Sequence, residues 1–131
     1  MTNYVLDACA LITYFRDEPG AELLENLFAQ VPEAKFWLHA INLGEIYYDT
    51  LRTSGREIAD QIFVDIGALP ISIVWDIEPQ FLQVVGRFKV GHRMSYADAW
   101  VLALAEREAA TVVSTDRHEF GPVEATGVLP C

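Results

Sequence analysis

The sequence predicts a three-layer α/β/α sandwich built around a short parallel sheet of four to five strands. Three observations carry that prediction. Short apolar runs alternate along the 131 residues with longer segments of helical period, and strands separated by helices pair in parallel, with the helices covering both faces. Hydrophobic residues make up 52% of the chain and charged residues 21%, the proportions of a sequence that buries a core. No repeat, low-complexity tract or linker interrupts the alternation, so residues 1–131 are expected to form a single domain.

Tyr4-Val5-Leu6 is the first apolar run; it ends in Asp7, and Ala8 to Arg16 follows with helical spacing. Pro19-Gly20 breaks that helix. Ala21 to Gln30 then carries Leu23, Leu24, Leu27 and Phe28 on one amphipathic face, and Pro32 ends it. Phe36-Trp37-Leu38 reads as the second strand, and Ala40 to Leu51 as a helix whose apolar arc is Leu43, Ile46, Tyr47 and Leu51. Gly55 separates it from a further helix, Ile58 to Leu69. Ile71-Ser72-Ile73-Val74-Trp75 gives the clearest strand signal, being rich in β-branched residues and bounded by Pro70 and Asp76. Pro79 sits where helices begin, so Phe81 to Phe88 is read as helical before Gly91. Ser95 to Ala109 is a helix rich in small residues (Ala97, Ala99, Ala103, Ala105), which allows close approach to a sheet. Thr111-Val112-Val113-Ser114 is the next strand, and Val128-Leu129 a short last one.

Lys and Arg number 9 against 19 for Asp and Glu, a net charge of −10. That balance excludes a surface that grips nucleic acid by bulk electrostatics, and leaves local contacts or bound cations. Two cysteines, Cys9 and Cys131, are a poor basis for a disulfide framework and read as reduced thiols in the cytoplasm. The opening residues lack a cationic region leading into an apolar stretch, and nowhere do 18 apolar residues run together. Neither a signal peptide nor a membrane span is expected.

In a fold of this class ligands bind outside the carboxyl ends of the strands. Asp7 follows the first strand directly, and Asp116 follows the strand that ends at Ser114. Asp98, in the first turn of the helix leading into that strand, belongs at the same edge, and Glu45 lies early in the helix after the second strand. Asp98 shares its face with Val101, Leu102, Ala105 and Ala109, which points it inward, where an unpaired charge is costly. Each acid has a plainer reading: Asp7 as a helix cap, Ser95 with Asp98 as a capping box, Asp116 as a turn residue. Glu45, with Asn42, Asp49 and Arg52, makes an exposed polar stripe in that reading. Convergence of four acids without compensating cations is what hard, oxygen-seeking metal ions require, and it favours a site. No Cys/His pair or Gly-x-Ser-x-Gly elbow suggests a covalent nucleophile, and His39, His92 and His118 lack zinc-site spacing. What remains is a carboxylate cage suited to one or two Mg²⁺ or Mn²⁺ ions.

The order of these acids and their surroundings resembles the PIN-domain ribonucleases, in particular the small VapC-type toxins of bacterial toxin–antitoxin pairs. The resemblance spans nearly the whole chain. It rests on Tyr4-Val5-Leu6-Asp7, on Ala40-Ile41-Asn42-Leu43-Gly44-Glu45, on Met94-Ser95-Tyr96-Ala97-Asp98-Ala99, and on Val112-Val113-Ser114-Thr115-Asp116 followed by Glu119-Phe120. It implies that Asp7, Glu45 and Asp98 are the family's most constant acids and Asp116 its fourth, with Ser114 as the hydroxyl before it. Thr115 and Glu119 offer a second hydroxyl and a second carboxylate at that end. The implied activity is divalent-metal-dependent hydrolysis of RNA phosphodiester bonds. Asp7 and Asp98 would hold the metal directly, Glu45 and Asp116 directly or through water, and Ser114 would orient a ligand.

The implied partners are an RNA substrate and an antitoxin protein, and the high apolar content of so small a chain adds a homodimer. Arg87, Lys89 and Arg93, with His92, fall within seven positions just before the Asp98 helix, placed either to meet RNA phosphates or as a solvated helix end. Tyr14, Phe15, Tyr47 and Tyr48 suit base stacking or an interface, though helical spacing equally suits a core. The main rival function is a catalytically silent PIN-like module that binds a protein partner through the same surface. Phosphoryl-transfer domains of the dehalogenase or receiver type also place Asp after a first strand. The former expects a second Asp where Cys9 stands, and the latter a Lys beyond Asp116, where none occurs.

Overall fold

The structure, a computed structural model, describes residues 2–114 and 128–130. Its strands are β1 (Thr2–Leu6), β2 (Ala34–His39), β3 (Ile71–Val74), β4 (Thr111–Ser114) and β5 (Val128–Pro130). The helices are α1 (Ala8–Phe15), α2 (Ala21–Phe28), α3 (Ala40–Ser54), α4 (Arg56–Ala68), α5 (Pro79–Gly91) and α6 (Tyr96–Glu108). Every strand pairing is parallel, and the order across the sheet is β3-β2-β1-β4-β5. The chain therefore works outward from β1 to β3, then crosses to the other side for β4. Strand order reverses at β1, and a crevice opens at the carboxyl end of such a reversal. The register pairs Leu6 with Val113, so Asp7 and Ser114 leave the sheet side by side.

Alternation along the strands sorts the core into two layers. Leu6, Phe36, Leu38 and Val113 face α1 to α4, where they meet Leu11, Leu24, Ile46 and Ile66. Val5 and Val112 face the opposite way, onto Phe81 and Val85 of α5 and Trp100 and Leu104 of α6. Both faces are covered, which is why the strands read as continuous apolar runs. Leu38, the penultimate residue of β2, is wholly buried. Leu38→Ala is expected to cost about 2–5 kcal/mol through lost burial and the cavity left behind. Urea unfolding with an unchanged midpoint would contradict that packing.

Element ends differ from the sequence reading where the chain turns. α4 begins at Arg56, two residues earlier than its apolar period indicates, directly after Gly55. Gly55 has φ +90°, a conformation that costs a side-chain-bearing residue far more, and it lets α3 and α4 form a tight hairpin. β3 stops at Val74, and Trp75 is 67% exposed instead of closing the strand. There the chain turns away from the sheet, with the Asp76 carboxylate accepting the Glu78 amide at 2.8 Å. Among the described residues no helix is long and apolar enough to cross a membrane.

Candidate active site

Asp7 caps α1, its Oδ1 accepting the Ala10 amide at 2.8 Å, and its Oδ2 accepts the Ser114 hydroxyl. The helix-cap reading of Asp7 is thus realised, and its second oxygen remains bonded at the strand ends. Asp7 is 2% exposed and Ser114 1%. Burial pushes the Asp7 carboxyl from its ordinary range up to about 7; the Ser114 and Ala10 hydrogen bonds oppose the rise, and the charges of Asp98 and Glu45 add to it. Both of its hydrogen-bond donors are neutral groups, so they ease the buried charge without neutralising it.

Glu45 reaches the site from α3. Burial raises its pKa, a hydrogen bond from Asn42 lowers it, and Asp49 raises it. It borders a cleft of about 310 Å³ that also includes Cys9, Thr13, Arg16, Tyr48 and Asp49. Arg16 is engaged there by Asp49, at 3.0 Å, and Asp49 also holds Arg52 at 2.5 Å. Asp98 lies in the first turn of α6, where its amide donates to the Ser95 hydroxyl at 3.1 Å, the first half of the capping box read from the sequence.

Behind these acids stands His39, the last residue of β2 and fully buried. Its Nδ1 accepts the Ile41 amide at 3.1 Å and caps α3, so the proton sits on Nε2, which donates to the Asp76 carbonyl at 2.8 Å. Burial lowers its pKa and keeps it neutral. The ring lies against Trp100 and Phe81, at centroid distances of 4.5 and 5.6 Å.

The structure thus brings Asp7, Glu45, Asp98 and Ser114 to one edge, where the charges of Asp98 and Glu45 both act on Asp7. Asp116, Thr115 and Glu119 lie outside the described residues. Arg87, Lys89 and Arg93 are exposed and line no part of the Glu45 cleft; Arg87 shares a separate groove of about 190 Å³ with Phe88, His92 and Glu106. Tyr48 is 59% exposed at the cleft, whereas Tyr14 and Phe15 pack against the core. Two buried polar residues beside the site are not singled out by the sequence. Asn42, which belongs to the polar stripe of α3, is 1% exposed. His39 lacks zinc-site spacing, and its place immediately before α3 is the signal of a cap.

A larger cleft, about 470 Å³, lies between α5, α6 and residues 75–78. Its Asp76 is already held by Arg107 at 2.6 Å, and Arg107 covers the Phe81 ring. Size therefore does not locate the chemistry; the uncompensated buried acid does. The oxygen-only donor set and the mutual repulsion of its acids fit a hard divalent cation. Among the described residues no three His, Cys, Asp or Glu side chains are already gathered closely enough to hold an ion.

The PIN domain family model matches residues 4–123. No curated protein sequence matches significantly. Among solved structures, VapBC2 from Rickettsia felis bound to a DNA fragment from its promoter aligns with a TM-score of 0.72 and 18% identity, covering 98% of this chain and 97% of that one. VapC20 from Mycobacterium tuberculosis, described as a Sarcin-Ricin loop cleaving toxin, aligns with a TM-score of 0.72 at 14% identity over 98% of both chains. A toxin-antitoxin complex from Klebsiella pneumoniae gives 0.70 at 16% identity, again over 98% of both. Likeness at such low identity speaks to the fold, while the family match covers most of the sequence. The chain belongs to the PIN domain family.

Proposed function

We propose that this protein is a divalent-metal-dependent endoribonuclease, the toxin of a toxin–antitoxin pair. The observation that carries the reading is the Asp7 carboxyl, buried, with no cation among its hydrogen-bond donors and pushed up to about 7 beside Glu45 and Asp98. Membership of the PIN domain family supports hydrolysis of nucleic acid. The neighbour described as a loop-cleaving toxin supports RNA as the substrate, and the toxin-antitoxin complex supports an inhibitory protein partner.

Asp7 and Asp98 would hold one or two Mg²⁺ or Mn²⁺ ions, with Glu45 and Asp116 completing the cage directly or through water. When bound, the ion supplies Lewis acidity, activating water for attack on phosphorus and offsetting the charge that develops on the phosphate. Asp7 is held in place by Ala10 and Ser114 before any ion arrives, so little ordering remains to be done. Glu45, partly desolvated, is suited to take the proton from the attacking water. Water adds in line, the bond to the 3′-oxygen breaks, and that oxygen takes a proton from the surrounding water as it leaves, so the products are a 3′-hydroxyl and a 5′-phosphate. Arg87, Lys89 and Arg93 would meet RNA phosphates outside the cleft. Exposed apolar side chains such as Val90, Val64 and Trp75 offer surface for a second copy in a homodimer. The setting is the cytoplasm.

The purified protein is expected to cut single-stranded RNA with Mg²⁺ or Mn²⁺, to stop in excess EDTA, and to recover when metal is restored. Full cleavage in EDTA, or no cleavage with metal by antitoxin-free protein, would overturn the reading. The second outcome would leave the silent interaction module in its place.

A further inference from the structure

We propose that Asn42 is a positioning residue that sets the separation of the two helix-borne acids, Glu45 and Asp98; this rests on the nuclease reading above. Asn42 lies in the first turn of α3 and is almost wholly buried. Its Nδ2 donates to the carbonyl of Ala97, at 3.1 Å, in the first turn of α6 and immediately before Asp98. The same side chain lies beside Glu45, one turn further along α3, and favours the charged form of its carboxyl. An amide nitrogen carries two protons, enough for both acceptors. One planar group therefore links the backbone beside one acid to the carboxylate of the other, across two helices that lie on different faces of the sheet.

Packing does not account for an amide at this position. The Asn42 Oδ1 is buried with no hydrogen-bond partner among the described residues. An unpaired buried acceptor costs stability, whereas an apolar side chain of the same shape would leave none. What the amide adds is geometry. Glu45 and Asp98 each repel the Asp7 charge in the absence of a cation, and a fixed tie between α3 and α6 holds their spacing where an ion needs it.

The experiment titrates Mn²⁺ into the full chain by calorimetry for wild type, Asn42→Leu and Asn42→Ala, with melts in EDTA and steady-state kinetics on RNA. Leucine copies the branched shape of asparagine without its donors, and alanine only removes atoms. Asn42→Leu is expected to melt in EDTA at or above the wild-type temperature. Its Mn²⁺ dissociation constant should rise about 10–100-fold, the usual consequence of losing a group that orients a metal ligand. Activity should fall in kcat with KM for RNA unchanged. If Asn42→Leu does not fold, Asn42→Ala carries the same expectation for Mn²⁺ and kcat. Wild-type Mn²⁺ affinity in a folded variant overturns the proposal, as does failure of both variants to fold, which would make Asn42 a purely structural residue. Absence of Mn²⁺ binding by wild type itself overturns the nuclease reading, and this inference with it.

Discussion

Asp7→Asn is expected to lower RNA cleavage by orders of magnitude while leaving the protein folded. Asparagine has the shape of aspartate and ranks with it as a helix cap, so Oδ1 can still accept the Ala10 amide. Its amide nitrogen can donate to the Ser114 hydroxyl, reversing the bond that Asp7 accepts. The substitution therefore removes one thing, the negative charge that a divalent cation would meet at the strand reversal. Circular dichroism should match wild type while cleavage in Mn²⁺ collapses. Activity comparable to wild type would show that the buried acid is structural, and that the cage has been placed on the wrong residues.

The second large effect is on stability as a function of pH. An unfolded Asp titrates near 4, whereas in the folded, metal-free protein Asp7 titrates at about 7. Between those values the folded state binds more protons, so this group's contribution falls as pH rises through the window. Two groups work the other way. Asp76, held low by the Glu78 amide and Arg107, adds stability as pH rises, but below about pH 4. His39, held low by burial, adds it as pH climbs towards the unfolded value of 6.5. The difference between wild type and Asp7→Asn isolates Asp7. In EDTA the two should have similar stability near pH 4, and by pH 8 the variant should be ahead by on the order of 4 kcal/mol. Mn²⁺ should then restore wild type by about 3 kcal/mol at a hundredfold excess over its dissociation constant, with little effect on the variant. Parallel stability curves from pH 4 to 8, or equal metal shifts, would refute this account.

The layers and the strand order's consequences could be read from the chain because parallel strands covered on both faces need unbroken apolar runs, and Tyr4-Val5-Leu6 and Thr111-Val112-Val113 are such runs. Asp7 and Ser114 follow from them, since residues at adjoining strand ends are neighbours whatever the helices do. Asn42 and His39 were not legible in the same way. Their surroundings are supplied by Ala97 and Asp76, 55 and 37 positions away, and only docking of α6 and the turn after β3 buries them. On the helix surface alone, Asn42 is one more polar residue beside Asp49 and Arg52. A run of basic residues such as Arg87, Lys89 and Arg93 is likewise visible at once, but its distance from the acids is set by how α5 packs.

The Asp7–Ser114 contact joins residues 107 positions apart, across the central pair of the sheet. During synthesis, Asp7 and Glu45 emerge early, while Asp98 and β4 come only after most of the chain. A nascent fragment ending before residue 95 contains two of the described acids and cannot seat β1 between two neighbours. Parallel pairings closed over such separations also form late, because the loop entropy is lost before the contact is gained. A chain still short of β4 therefore lacks the Asp7–Ser114 pairing at the site. Whatever the site does begins only once the sheet is closed by β4.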